Sequence, residues 1–287
     1  MVIIKRINGQ LANRLHFLSY FIANSKAYNY SLLITCFPEY HDLFTAIGPH
    51  EPGVTFVNPG LPQRALNKIL NKLHALALKV NIKLPGIIFH SIAQNDLTLS
   101  HYDINSPEFV KIAQRQVVVP EGWVYRDYVN FKKYLPQIKN LFSPKQEFRD
   151  AVKREVDRAR SMGDTLIGVH IRRSDYKDFN DGKWFYSNEV YISKMREVEQ
   201  LFAEKQCIFI ICSDEKLDMN EFTGFKTAIA ERPAIVDLYL LAACNYIFGP
   251  PSTFTGWASL YNTVPACYLE SADQKITIDS FKEFFDS

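Results

Sequence analysis

Short apolar runs alternate with longer segments of helical period along most of the chain. Val2–Ile7 reads as a buried strand followed by a turn at Gly9. Leu11–Tyr28 then places Leu11, Leu15, Leu18 and Ile22 on one helical face. Ser31–Cys36 predicts a second strand, Pro and Gly punctuate Pro49–Pro62, and Arg64–Val80 is a basic amphipathic helix. Ile87–His90 and Val117–Val119 are short strand candidates, whereas the aromatic-rich Gly122–Tyr128 follows neither period.

The second half is more regular. At Phe142–Ser143–Pro144, Ser143 with Gln146 fits a capping box and Pro144 suits the first helical position, which predicts a helix to about Met162. Thr165–Ile171 predicts a strand, followed by an Asp-rich loop and a helix near Asn188–Phe202. Cys207–Cys212 is an apolar strand of parallel-sheet character. A helix near Ala234–Ala243, a strand Tyr246–Phe248, a helix from about Thr253 and a strand Ala266–Leu269 complete the pattern. This alternation predicts an α/β chain of two Rossmann-like domains, 1–143 and 144–287, facing a central cleft that holds the ligand at the carboxyl ends of the strands.

Composition narrows the function classes. Of 287 residues, 47% are hydrophobic and 14% aromatic, which excludes a disordered chain. The net charge of +2 excludes the basic excess of a general nucleic-acid binder. That balance is uneven: residues 1–143 carry 15 basic and 8 acidic side chains, and residues 144–287 carry 18 and 23. No acid lies between Glu51 and Asp96, where Arg64, Lys68, Lys72, Lys79 and Lys83 fall. The basic helix can face an anionic acceptor or a membrane carrying a lipid-linked glycan. Alternatively it is an ordinary surface helix with Leu70, Leu73 and Leu76–Val80 packed inward.

Cys36, Cys207, Cys212, Cys244 and Cys267 form no CxxC pair or zinc spacing, and most sit in apolar runs. They read as buried thiols in a reducing compartment. The N-terminus lacks the apolar core of a signal peptide, and the apolar run Leu238–Phe248 is too short to span a bilayer. The expectation is a soluble cytoplasmic protein, with peripheral contact to the inner membrane as the role open to the basic helix.

Three segments carry candidate chemistry. In Gly168–Asp178 (GVHIRRSDYKD) a buried strand ends at His170 and Ile171 and delivers Arg172, Arg173 and Asp175 to the sheet edge. Adjacent guanidiniums there match a diphosphate bidentately, with Asp175 holding one of them; the competing reading is a surface ion pair with Asp175 or Asp178. In Gly249–Trp257 (GPPSTFTGW) Ser252 and Thr253 can cap a helix whose N-terminus attracts phosphate, or merely cap it. In Asn8–Arg14 (NGQLANR) Gly9 permits close backbone approach while Asn13 and Arg14 open the helix. No DxD triplet is present; Asp178 and Asp181, spaced DxxD, are candidates for deprotonating an acceptor hydroxyl, or simply a solvated loop. Trp123, Tyr125 and Tyr128 suit either sugar stacking or a core, and His16, His41, His74, His90 and His101 have no ligand spacing.

Taken together, these segments resemble the bacterial α-1,2-fucosyltransferases, glycosyltransferase family 11, and the wider α-1,2/α-1,6/protein O-fucosyltransferase superfamily. HIRRSDY is similar to the HxRRxDY motif, NGQLANRLHFLSYF to the N-terminal GGLGNQMFQYAF pattern, DLYLLAACNYIFGPPSTFTGWASLYN to DxxLMSxCxHxIxxNSTFSWWGAWL, and IICSDE to a strand ending FSDD. The resemblance implies a GT-B fold, GDP-fucose as donor, a glycan acceptor, inversion at the anomeric carbon, and neither metal nor cofactor. By position, it implies that Arg172 and Arg173 face the diphosphate, that His170 and Asp237 contact the nucleoside, and that Ser252, Thr253 and Phe254 hold the phosphates. Asp214 closes the FSDD-like strand, and Gly9, Asn13 and Arg14 line the cleft from the other domain. The chain departs from the family at Ala12, Arg14, Ser174 and Gly256. Another nucleotide sugar on the same scaffold, or a silent nucleotide- or glycan-binding module, are the alternative readings.

Overall fold

The computed structural model describes residues 1–6, 9–47, 52–80, 85–92 and 101–286. The chain divides into two compact units, Met1–Lys145 and Gln146–Ser287.

In the first unit the elements are β1 (Val2–Ile4), α1 (Leu11–Tyr28), β2 (Leu32–Ile34), β3 (Val54–Phe56), α2 (Leu61–Val80) and β4 (Ile87–Ser91). They continue with β5 (Tyr102–Asp103), α3 (Pro107–Arg115), β6 (Val117–Glu121), β7 (Tyr125–Arg126) and α4 (Tyr128–Leu141). The main sheet is parallel with order β3-β2-β1-β6-β4, and β5 pairs with β7 apart from it. The predicted face of α1 is buried, and Asn29 in the left-handed region ends the helix by donating its N–H to Ser25 O.

Several expectations change here. β1 stops at Ile4, because Lys5 turns its side chain to Glu121 (2.7 Å) and Asn71 (3.0 Å); Ile7 lies outside the described residues. β3 occupies a segment read as punctuation: its three residues pair with β2, Leu32 opposite Val54. α3 starts on Ser106, which accepts the Phe109 N–H, and α4 on Asp127, which accepts that of Asn130. Pro136 lies inside α4. Tyr125 is a core residue with its hydroxyl on His90 O, whereas Trp123 stacks on Phe17 and Tyr128 stays largely exposed. In α2, Leu70 is buried but Leu76 is exposed, so the inward stripe is narrower than predicted; Lys83 and the side chains of residues 77, 78 and 80 lie outside the description.

The second unit contains α5 (Gln146–Arg160), β8 (Thr165–Ile171), α6 (Asn188–Leu201), β9 (Cys207–Ser213), β10 (Thr227–Ile229) and α7 (Ala234–Leu241). β11 (Tyr246–Gly249), α8 (Thr253–Asn262) and β12 (Ala266–Tyr268) follow. The helix starts two residues later than the expected first position at Pro144. Residues 143–145 instead pair with 43–45, Thr45 N to Ser143 O at 3.0 Å and Lys145 N to Leu43 O at 2.9 Å, so the helix begins at Gln146. The sheet order is β10-β9-β8-β11-β12, all parallel, with every residue of β8 buried. Its core joins Ile167, Val169 and Ile171 to Phe209, Ile211 and Phe248.

The chain winds from β8 outward through β9 to β10, then crosses to β11 on the other side. The carboxyl ends of β8 and β11 therefore flank the topological switch point, where open α/β sheets bind ligands. Among the described residues, no helix is long and apolar enough to cross a membrane. All five cysteines are buried free thiols.

Candidate active site at the β8–β11 switch point

β8 ends where its apolar run ends, and the next two residues are Arg172 and Arg173. Their side chains are only 15% and 13% exposed. Arg172 is gripped by Asp175 through Nε–Oδ1 (3.0 Å) and Nη2–Oδ2 (2.8 Å), and its guanidinium lies 5.2 Å from the Tyr176 ring. Burial works against this charge, but Asp175, Tyr176 and Asp214 outweigh it and hold Arg172 above its ordinary value. Arg173 donates Nη2 to Asn188 Oδ1 (2.6 Å), while its Nε is buried without a hydrogen-bond partner, Glu215 Oε2 standing 3.6 Å away. A buried guanidinium N–H with no acceptor is costly unless an anion meets it.

Asp214, at the end of β9, shapes the turn. Oδ1 accepts the Arg173 N–H (2.9 Å), and Oδ2 accepts the Ser174 N–H (3.3 Å) and hydroxyl (2.6 Å). Ser174 thus anchors the loop through its side chain.

Across the switch point, Ser252 caps α8 by accepting the Phe254 N–H at 3.1 Å, and no acid in the first turn offsets the helix dipole. The two loops touch. Tyr176 donates its hydroxyl to Pro251 O, directly before the cap, so the ring under Arg172 is tied to the start of α8. His170 stacks on Phe254 (centroids 5.0 Å, 27°), and its Nδ1 lies 2.9 Å from Thr255 Oγ1. Phe254 and Thr253 accordingly differ in placement: the phenyl ring packs over His170, while Thr253 opens the helix beside the cap.

Burial, with the neighbouring Arg172 adding to it, pushes His170 down to about 3. The residue is therefore neutral in the fold and takes up a proton on unfolding at acid pH. Its contribution to stability is complete above an unfolded value of ~6.5 and is lost as pH falls towards 3. Between pH 7 and pH 5 this group alone should remove about 2 kcal/mol. In urea titrations at both pH values, the His170→Asn variant should lose less stability on acidification than the parent. Equal losses would show that His170 is accessible to protons in the fold.

The remaining predicted residues are more scattered. Asp178 and Asp181 are exposed in the loop after the arginines, Asp181 with a left-handed backbone. No hydrogen bond or ion pair among the described residues joins either to Arg172 or Arg173. Asp237 is buried on α7 and takes Nε of Arg232 at 2.6 Å. Burial raises its carboxyl above the ordinary range, Arg232 pulling the other way. In the first unit, Gly9 has φ +83°, and a Cβ there would stand 1.9 Å from Asn13 Nδ2. Arg14 is held by Glu39 (2.6 Å), Cys36 O (3.0 Å) and Gly9 O (3.2 Å); Asn8 lies outside the described residues. On α2, Gln63, Arg64, Asn67, Lys68, Asn71 and Lys72 line a shallow groove of about 540 Å³.

Sequence reasoning missed Asn188, Glu215, Thr255 and Arg232. Tyr176 and Thr255 lay inside the quoted motifs. Asn188 and Arg232 carried no signal, because only the fold brings α6 and the β10–α7 loop to these partners.

Residues 63–281 match the model of the family described as Glycosyl transferase family 11, which leaves segment 8–14 outside the match. No curated protein sequence matches the chain. Among solved structures, it is similar to a mutant of FUT1 from Arabidopsis thaliana in complex with GDP, at a TM-score of 0.60 and 15% identity over 98% of this chain and 73% of that one. It is similar to the fucosyltransferase NodZ from Bradyrhizobium, at 0.58 and 16% over 93% and 95% of the two chains. It is also similar to POFUT1 in complex with GDP-fucose, at 0.57 and 10% over 94% and 97%. At these identities the likeness is one of fold, a GT-B-like α/β chain with parallel sheets.

Proposed function

Because the chain belongs to glycosyl transferase family 11, we propose that this glycosyltransferase moves fucose from GDP-fucose to a glycan hydroxyl, with inversion and without a metal. The observation that carries this reading is the junction of two clamped arginines after β8 with the capped start of α8, one buried N–H of Arg173 still lacking a hydrogen-bond partner. The nucleotides in the similar FUT1 and POFUT1 structures, GDP and GDP-fucose, support the choice of donor.

In this mechanism the sugar–phosphate bond breaks first in the transition state, and charge grows on the departing diphosphate. Arg172, Arg173 and the first turn of α8 are already oriented by Asp175, Asn188 and Ser252, so stabilising that charge needs little reorganisation. A carboxylate of the exposed loop, Asp178 or Asp181, accepts the acceptor's proton and exchanges it with water. The cationic groove on α2 suits an acceptor bearing phosphate or carboxylate groups.

The test is a thermal-shift screen of GDP, UDP, ADP and dTDP, with and without EDTA. At 100-fold over its Kd, a nucleotide that binds only the folded protein contributes about 2.7 kcal/mol. GDP should accordingly raise Tm by ~5–10 °C and do so equally in EDTA. A response to UDP alone, or one abolished by the chelator, overturns the reading.

A further inference from the structure

α2 is a surface helix of 20 residues with one side sunk in the first unit, where Leu70 packs with Ile3 and Val119. At 1.5 Å per residue its outer side runs for about 30 Å. Lys68, Lys72 and Lys79 follow Leu61 at intervals of seven, four and seven residues, so the four side chains share one line along that side. Ile69 and Leu76 form a second line next to it, and Arg64 flanks the first. Arg64 and the three lysines are exposed, and so are Leu61 (81%), Ile69 (55%) and Leu76 (52%).

Two features separate this face from an ordinary solvated one. Single exposed apolar residues are normal, but among the described residues no other helix exposes three large ones. The charge is also of one sign, since Leu61–Val80 contains no acid. α5 shows the usual alternative: acids and bases are interspersed, and Lys153 pairs with Asp157. Glu121, the carboxylate that meets α2, is taken by Lys5 at 2.7 Å and by His74 at 3.3 Å, and no ion pair among the described residues engages the four exposed cations.

We propose that this face of α2 docks on an anionic bilayer surface, with Leu61, Ile69 and Leu76 entering the headgroup boundary and the four cations meeting lipid phosphates. Charge complementarity chooses this occupant, because a second copy of the chain would set four cations against four. Lysine, a flexible point charge on an apolar stem, suits mobile headgroups better than it suits a partner read by a fixed fork of donors. An apolar line beside a cationic line is also the arrangement that lies in an interface plane. α2 starts at the carboxyl edge of its sheet, where Gln63 donates to Thr35 O at 2.5 Å directly after β2. Docking therefore brings that edge to the membrane surface, within reach of an acceptor carried on a lipid; this consequence rests on the glycan-transfer reading above, whereas the docking itself does not.

The experiment is co-sedimentation of the full chain, without nucleotide, with vesicles of phosphatidylcholine alone or mixed equally with phosphatidylglycerol, alongside titration with soluble dextran sulfate. The unaltered protein should sediment with the mixed vesicles and stay in solution with phosphatidylcholine. Each lysine near an anionic surface contributes about a fivefold gain in partitioning, so Lys68→Gln with Lys72→Gln should weaken it on the order of 25-fold. Ile69→Ser with Leu76→Ser keeps every charge. It should weaken vesicle binding on the order of tenfold and leave dextran sulfate binding and turnover of a water-soluble acceptor unchanged. Full vesicle binding by that variant would make the face a general polyanion site and overturn the proposal. So would equal sedimentation with both vesicle types, or none with either, by the unaltered protein, results that need no variant to fold. None of these outcomes touches the donor reading, which the nucleotide screen tests separately.

Discussion

Replacing Arg173 by alanine should lower kcat by on the order of 10³ while leaving the urea midpoint nearly unchanged. The guanidinium sits on a loop beyond the sheet core, so its loss opens no apolar cavity. What disappears is a preorganised donor to the leaving diphosphate, and removing one such donor typically costs 10²–10³ in rate, with more expected where full charge is lost. Arg173→Lys should recover only part of the rate: the charge returns, but the fork that reaches Asn188 with Nη2 while presenting Nε does not. Steady-state kinetics with circular dichroism on the same samples would check this. Unchanged turnover in Arg173→Ala would remove the diphosphate assignment.

The second large effect concerns stability. Gly249 ends β11 beside His170 on β8, and a Cβ at Gly249 would lie 2.5 Å from His170 O and 2.9 Å from His170 Cβ. The first obstacle is backbone of the central strand, which is paired on both sides and cannot step aside. Gly249→Ala should therefore destabilise the protein by about 3 kcal/mol, the upper end of ordinary overpacking. It should also displace the His170–Phe254 stack and so weaken nucleotide binding. A urea titration showing a loss below ~0.5 kcal/mol would mean that β8 and β11 are free to separate at this point.

How much of this was legible beforehand depended on where the information lay. Thr165–Ile171 was readable to the residue, because a strand buried on both faces must be continuously apolar and its limits are where polar residues begin. Leu11–Tyr28 was equally readable from its helical period. Val54–Phe56 and Thr227–Ile229 were not, since neither stands in an apolar run of its own and each is a strand through pairing with a neighbour. Ser143–Pro144–Lys145–Gln146 shows the reverse: a sound local helix-start signal displaced to Gln146 by pairing with residues 43–45.

At the site, residue type and order alone identified the paired arginines, Asp175 as the clamp of one of them and Ser252 as a helix cap, because these are neighbours in the chain and their chemistry is local. The sequence by itself thus determined the α/β alternation, the diarginine loop at a strand end and the motifs shared with the family. Only the tertiary structure decided that Asn188 and Asp214 set Arg173, that Tyr176 ties the arginine loop to α8, and that Asp237 serves Arg232. The reason is physical: a hydrogen bond senses distance in space, and parallel strands bring together residues that the chain separates by tens of positions.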